Sequence, residues 1–151
     1  MSKVDKGTVT IRPMMRSDVH AVLALDRKIG EGRTLLSHKD MAATEPGGPL
    51  DLSFVAELEG TVVGFVIARL AYLMIPLTEV CLVQGILVDP EYQEQGIGSK
   101  LLEKLLDFCN EEGIHTVRTL VEERNSELRR LMERLGFRRS NVINYDKNFE
   151  S

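Results

Sequence analysis

The sequence predicts an α/β (α+β) fold in which a mixed central β-sheet is flanked by helices. Three observations lead there. Strand-like and helix-like segments alternate, three strand-like segments follow one another mid-chain, and the strongest helical stripe stands between two apolar strands. A chain of 151 residues is the length of one domain, so a single domain over 1–151 with its core in 8–149 is expected.

Thr8–Arg12 alternates like a short strand, Pro13 breaks its ladder, and Ser17 is placed to cap a helix carrying Val19, Val22, Leu23 and Asp26 at helical spacing. That helix fades near Arg27. Lys28–Pro49 gathers Gly30, Gly32, Pro46, Gly47, Gly48 and Pro49 around an apolar patch at Leu35 and Leu36, and reads as a long mobile loop. Leu52–Glu59 and Thr61–Tyr72 read as strands joined by a tight turn at Glu59-Gly60, and Glu79–Val88 reads as a third. Ile97, Leu101, Leu102, Leu105, Leu106 and Cys109 form one helical stripe, with Gly113 placed to end it in the left-handed conformation. His115–Val121 is a further strand, reached from Val88 by a right-handed parallel crossover. Leu128, Leu131, Met132 and Leu135 mark a short amphipathic helix capped by Ser126 and stopped by Gly136, before strand-like Phe137–Arg139 and Asn144–Phe149.

Composition excludes several classes of function. Lys and Arg total 19 against 23 Asp and Glu, a net charge of −4 that offers no field for a polyanion, so nucleic acid is not expected as a partner and a cationic one is favoured. Cys81 and Cys109 stand inside apolar stretches without metal-ligand spacing, which predicts two reduced, buried thiols and no metal. The longest uncharged runs, such as Val80–Val88, are nine residues long, far short of the ~20 that span a membrane. The opening residues lack the apolar core of an export signal, so a cytoplasmic protein away from membranes is expected.

The sharpest signal runs from Ile86-Leu87-Val88 through Asp89-Pro90 to Gln93-Glu94-Gln95-Gly96-Ile97-Gly98-Ser99-Lys100. An apolar strand there enters a helix through glycines, whose positive φ lets the backbone approach a ligand while first-turn N–H groups converge on an anion. A pyrophosphate fits. The dinucleotide fingerprint is excluded by Leu101 where its third glycine would stand, and the Gly-Lys-Ser/Thr ending of the triphosphate loop is absent.

Gln93-Glu94-Gln95-Gly96-Ile97-Gly98 resembles the Q/R-x-x-G-x-G/A signature of the GNAT superfamily of N-acetyltransferases. Val88-x-Pro90 before it and Leu101-Leu102 after it fit as well. Ile11-Arg12 with Asp18, and Asn125 followed by Gly136-Phe137, extend the resemblance over residues 8 to 137. It implies a single acyl-CoA N-acyltransferase domain with splayed parallel central strands. Acetyl-CoA is then the acyl donor, its pyrophosphate held by backbone amides from Gln95 to Ser99 within the cofactor-binding run Gln93–Lys100. The pantetheine arm pairs along Ile86, Leu87 and Val88, facing Thr119–Val121, and Asn125 helps hold the coenzyme. The acyl group passes directly to an amine, with the backbone N–H near Leu87 stabilising the oxyanion. An acceptor amine with pKa ~10.4 is neutral in only about one molecule in 2,500 at pH 7, so a base or a water chain is needed.

The chain departs from the family at Met132, where many relatives carry a proton-donating tyrosine, and at Leu82 and Leu120, where some carry a basic glutamate. Glu79 and Glu122 are candidate bases, and Gln84, beside a possible bulge at Gly85, a candidate to hold water. His115 and Tyr145 are weaker candidates, and His20 and His38 read as surface residues. The loop Lys28–Leu50 lies where the family builds its acceptor wall, with Glu31, Asp40 and Glu45 among Arg27, Lys28, Arg33 and Lys39. A primary amine of a small molecule, peptide or protein is the expected acceptor. The alternatives are a catalytically degenerate acyl-CoA-binding regulatory module and a structural domain that dimerises through strand edges near the C-terminus; a homodimer is compatible with each.

Overall fold

Four strands pair antiparallel in chain order and a fifth joins in parallel, across a connection that carries a long helix. The structure is a computed structural model and describes residues 8–30 and 36–150. The strands are β1 (Thr10–Pro13), β2 (Phe54–Leu58), β3 (Thr61–Leu73), β4 (Thr78–Val88) and β5 (Val117–Thr119). The helices are α1 (Val19–Ile29), α2 (His38–Thr44), α3 (Ile97–Glu111) and α4 (Ser126–Arg134). The chain gathers into two compact units, Met1–Leu120 and Val121–Ser151.

In the first unit the sheet order is β1-β2-β3-β4-β5, and the sheet is mixed as expected. Pro13 does not break β1. It is the last rung, opposite Phe54, tolerated because β1 is an edge strand and needs no second hydrogen-bonding side. Glu59 and Gly60 take φ of 49° and 79°, the two-residue turn whose twist matches the flanking strands. β4 carries one residue more than β3: Ile67 faces Gly85 and Ala68 faces Val83, leaving Gln84 as a bulge.

Helices cover both faces. Val22, Leu23 and Leu25 of α1 and Met41 of α2 pack with Phe65 and Ile67 of β3, and Leu87 of β4 joins them. On the other face Ile97, Leu101, Leu102 and Leu105 of α3 are fully buried, each worth ~1.5–3 kcal/mol. Phe108 adds an edge-to-face contact with Phe54 at 6.0 Å. Gly113, at φ 77°, ends α3 as predicted, with the Ile114 N–H donating to Cys109 O at 2.9 Å. Cys81 and Cys109 are buried free thiols in contact, and their mutual hydrogen bond and burial push the Cys81 thiol up.

Several boundaries differ from expectation. α1 runs past Arg27 to Ile29, and the expected loop contains α2. Ser37 and Asp40 form a reciprocal capping box there, Ser37 Oγ accepting from the Asp40 N–H at 3.1 Å and Asp40 Oδ2 from the Ser37 N–H at 2.9 Å. Glu31, Arg33 and Leu35 of that loop lie outside the described residues. β5 is only Val117–Thr119, because β4 offers it a partner only from Cys81 to the residue before the bulge.

In the second unit the cap of α4 is Asn125, not Ser126: Asn125 Oδ1 accepts from the Leu128 N–H at 3.2 Å. Gly136, at φ 93°, stops the helix as expected, with the Phe137 N–H donating to Met132 O at 3.0 Å and the Gly136 N–H to Glu133 O at 3.1 Å. The motif Gly136-Phe137 is therefore a helix stop. Phe137–Arg139 and Asn144–Phe149 are not strands. Their alternation makes one face of a ladder, and no strand among the described residues of this unit supplies the other.

The start of the fold rests on two ion pairs that share Arg12. Arg12 donates two hydrogen bonds to Asp18, at 2.9 and 2.8 Å, and a third to Glu57 at 2.8 Å. Asp18 also accepts the Met15 N–H at 2.7 Å and is itself buried. Ser17 therefore caps nothing; Asp18 orders this turn.

The Arg12 guanidinium holds the Asp18 carboxyl below the usual carboxylate range, an effect that burial opposes and the Met15 N–H reinforces. A carboxyl depressed by folding contributes stability above its unfolded pKa of about 3.9, lost as pH falls through that region. Asp18→Asn is expected to cost about 1–3 kcal/mol near neutral pH. Urea midpoints measured at neutral pH and in acid should also lie closer together in that variant than in the parent, and equal separations would contradict the assignment.

Candidate active site

Three pieces of the first unit meet around the bulge. The first is the edge of β4. Toward β3 its pairing continues to Val88 opposite Gly64, but toward β5 it covers only Cys81–Val83 against Val117–Thr119. Thr119 Oγ1 donates to Val83 O at 3.1 Å where that pairing ends. From Gly85 onward no described strand pairs with the second edge of β4, so the stretch Ile86-Leu87-Val88 offers an extended partner the backbone groups of Ile86 and Val88, those of Leu87 being turned to Phe65 of β3.

The second piece is the turn into α3. Residues Pro90–Gln95 form a 3-10 turn that includes the backbone of Gln93 and Glu94. Gly96 follows at φ 71°, and α3 starts at Ile97 with no side-chain cap. The Lys100 N–H is taken by Gly96 O at 3.0 Å, which leaves the amides of Ile97, Gly98 and Ser99 as a cluster of donors. A helix of 15 residues stands behind them.

This turn is held from beneath. Asp89 is buried, and its Oδ1 accepts the Glu91 N–H at 3.0 Å while its Oδ2 accepts from Lys28 Nζ at 2.8 Å. The Asp89 N–H donates to Val63 O at 2.8 Å, and Gln93 reaches back to Val88 O at 3.3 Å. Lys28 also meets Glu91, and the two carboxylates, Asp89 first, push its ammonium pKa up. Sequence reading missed this support. Asp89-Pro90 carries a visible capping signal, but nothing local marks Lys28, whose partner lies 61 residues away.

The third piece is a cavity of about 430 Å³ over the bulge. Asp40, Ala43 and Thr44 of α2 form one wall, Phe65, Ile67 and Arg69 of β3 another, and Gln84, Gly85 and Leu87 of β4 the floor. A depression of about 790 Å³ between the start of α1 and the end of α2 is larger, but none of its lining residues belongs to β4. Leu87 and Gln84 therefore meet at the smaller cavity. Glu79 does not join them: Tyr72 Oη donates to Glu79 Oε2 at 2.9 Å near the far end of the β3–β4 hairpin, which pushes the Tyr72 hydroxyl pKa up. Glu122 and Asn125 belong to the second unit, where Glu122 is exposed beside Arg124 and Asn125 caps α4.

Gly64 is a further position that sequence reading passed over. A Cβ there would lie 3.2 Å from Leu87 O, 3.3 Å from Ile97 Cγ2 and 3.4 Å from Leu101 Cδ1, so its absence lets the start of α3 sit against the sheet. Gly64→Val is expected to lower unfolding stability by about 1–3 kcal/mol through overpacking, read as a lower urea midpoint; an unchanged midpoint would refute the close approach.

The described residues contain no group of three or more metal-ligating side chains, and no helix long and apolar enough to cross a membrane. A family model described as the acetyltransferase (GNAT) family matches residues 24–137. The chain is 32% identical over 91 residues to an uncharacterized N-acetyltransferase of Methanocaldococcus jannaschii, covering 60% of this chain and 40% of that protein. It is 40% identical over 58 residues to the ribosomal protein bS18-alanine N-acetyltransferase of Escherichia coli, covering 38% of this chain and 39% of that protein. It thus spans about two fifths of the length of the curated relatives it matches.

Among solved structures, the ribosomal-protein-S18-alanine N-acetyltransferase from Escherichia coli superposes with a TM-score of 0.74 at 27% identity, covering 89% of this chain and 80% of that one. An aminoglycoside N-acetyltransferase solved in complex with CoA shares the fold, with a TM-score of 0.76 at 20% identity over 97% of this chain and 100% of that one. With the family match running from α1 to Phe137, the chain belongs to the acetyltransferase (GNAT) family.

Proposed function

We propose that this chain is an acetyl-CoA-dependent N-acetyltransferase that passes an acetyl group directly to a primary amine. The observation that carries the reading is the pairing of an uncapped α3 start with an open β4 edge, two features with no structural use of their own. In this reading the amides of Ile97, Gly98 and Ser99 hold the pyrophosphate. The stretch Ile86-Leu87-Val88 pairs with the pantetheine arm as another strand would. Relatives named for an aminoglycoside and for a ribosomal-protein alanine support an amine acceptor.

The coenzyme supplies an acetyl thioester when bound; the chain's own residues do the rest. The backbone N–H beside Leu87, that of Ile86, donates to the oxygen on which charge develops, because Leu87 itself is turned to Phe65 in the β3 ladder and Ile86 faces the open edge. Gln84 orients a water that passes the ammonium's proton on to solvent, so that the neutral amine attacks; Glu79, held by Tyr72 at the far end of the hairpin, does not serve as the base. Met132, buried in α4, cannot protonate the leaving sulfur. A coenzyme thiolate resembles that of cysteine, pKa ~8.5, and leaves without full protonation, so the loss stays toward the low end of the ~10²–10⁴ that acid catalysis contributes.

Met132 favours a second reading, a degenerate module that binds acyl-CoA without transfer. Thermal shift with acetyl-CoA together with thiol release across an amine panel separates the two. Stabilisation with turnover is the expected result; stabilisation without turnover supports the module, and neither effect removes both readings. With an active acceptor, kcat/KM should rise with pH toward the amine's own pKa, because only the neutral amine attacks.

The support beneath the turn gives a second expectation. Lys28→Met should weaken CoA binding roughly two- to fivefold, the size an ion pair with one exposed partner sustains, with Lys28→Arg retaining most of the affinity. Glu57→Gln, which removes an ion pair of the Arg12 cluster, should leave CoA affinity unchanged by calorimetry. Equal losses in the two variants would mean that Lys28 acts on stability alone.

A further inference from the structure

Arg69 is the one lining residue of the cavity over the bulge that carries a positive charge. It is half-buried, and among the described residues its guanidinium makes no ion pair or side-chain hydrogen bond. A guanidinium has five donors and no acceptor, so one held partly out of water without a partner is unusual. A carboxylate is within its reach by register: Asp51 forms a β-bridge with Arg69. Asp51 is committed elsewhere, its Oδ2 accepting the Gly47 N–H at 2.9 Å and its Oδ1 the Ser53 N–H at 3.1 Å. The fold thus brings an acid beside Arg69 and turns its oxygens to the backbone.

The opposite wall carries Asp40, whose Oδ2 serves the capping box of α2. Phe65, Ile67 and Leu87 add an apolar lining beside Gln84. We infer that Arg69 binds an anionic group of the acceptor, a carboxylate, so that the acceptor is an amphoteric amine of amino-acid type rather than a polycation. This rests on the transfer reading above. The coenzyme does not satisfy Arg69 in that reading, because its pyrophosphate is assigned to the start of α3, beyond the opposite end of the open β4 edge. With Arg69 on the carboxylate and Asp40 drawing the ammonium, the amine lies over Gln84 and Gly85, beside Leu87.

The experiment is an acceptor panel in matched sets. Each of the common amino acids is compared with its amide, and with its decarboxylated amine where one exists, by thiol release from acetyl-CoA. At least one free acid is expected to exceed its amide and amine in kcat/KM by about 10- to 100-fold, the size of a charge-assisted bidentate bond. Arg69→Met should erase that ratio by lowering the acid alone, mainly through KM, and Arg69→Lys should restore part of it. Thermal shift with CoA checks that both variants remain folded and bind the coenzyme.

Acids that are nowhere preferred, or an Arg69→Met loss shared by acid, amide and amine, would overturn the assignment while leaving the transferase reading intact. If nothing turns over, calorimetry of the CoA-loaded protein with the N-acetyl amino acids and their amides decides instead. Tighter binding of an acid, lost in Arg69→Met, supports the inference, and equal or absent binding overturns it. Failure to bind CoA would overturn the transferase reading, and the inference with it.

Discussion

The extra residue that β4 carries at Gln84 is the constraint on which the rest of the site depends. A strand shows alternate side chains to alternate faces, so one inserted residue exchanges the two faces for everything that follows. Before the bulge Cys81 and Val83 turn to the side of α3; after it Gly85 and Leu87 turn to the side of α1 and α2. Gln84 and Gly85 consequently meet the same cavity although they are neighbours in sequence. The bulge also falls where the pairing with β5 stops. One insertion therefore sets both the floor of the cavity and the open edge beside it.

An open edge and a bare helix start are costly features, since unsatisfied backbone groups favour either water or a partner. The fold offsets them with charge placed where it is least screened. Arg12 and Asp18 fix the exit of β1, and Asp89 fixes the turn before α3, each through a buried carboxylate with several donors. Lys28 differs, because its ammonium is half exposed and a single such pair contributes little to overall stability. Its value is positional. It ties the last turn of α1, from which the chain leaves toward α2, to the turn that presents the α3 amides. The cavity wall and the anion site therefore share a support.

How much of this was legible in the sequence follows from the range of each interaction. Glu59-Gly60, Gly113 and Gly136 were readable because the need for positive φ is local to the glycine or its neighbour. The stripe of α3 was readable because one helix face meets one sheet face. α2 was obscured by the glycines and prolines around it, although Ser37 and Asp40 stand at capping-box spacing. The family's Arg12 with Asp18 and its Gly136-Phe137 were recognisable as motifs, but only the structure gives them work, as an ion pair to a buried carboxylate and a helix stop. The length of β5 and the state of residues 137–150 depend on what pairs with them, which alternation cannot state. Lys28, Gly64 and Arg69 act through partners or neighbours distant in sequence, and carry no local mark.

Charge illustrates the same limit at the site itself. The net charge of −4 is a property of the whole surface, and by itself it favours a cationic acceptor. Charges in water are screened over about 8 Å at physiological salt, so most of that surplus is weak inside the cavity. A half-buried guanidinium on the wall is screened far less and lies within contact distance of whatever enters. Asp40 lines the same cavity, so the local balance is one charge of each sign where the global balance is acidic. Recognition follows the nearer and drier charges. An acceptor that satisfies Arg69 as well as Asp40 gains at both walls, whereas a polycation leaves the arginine facing its own sign.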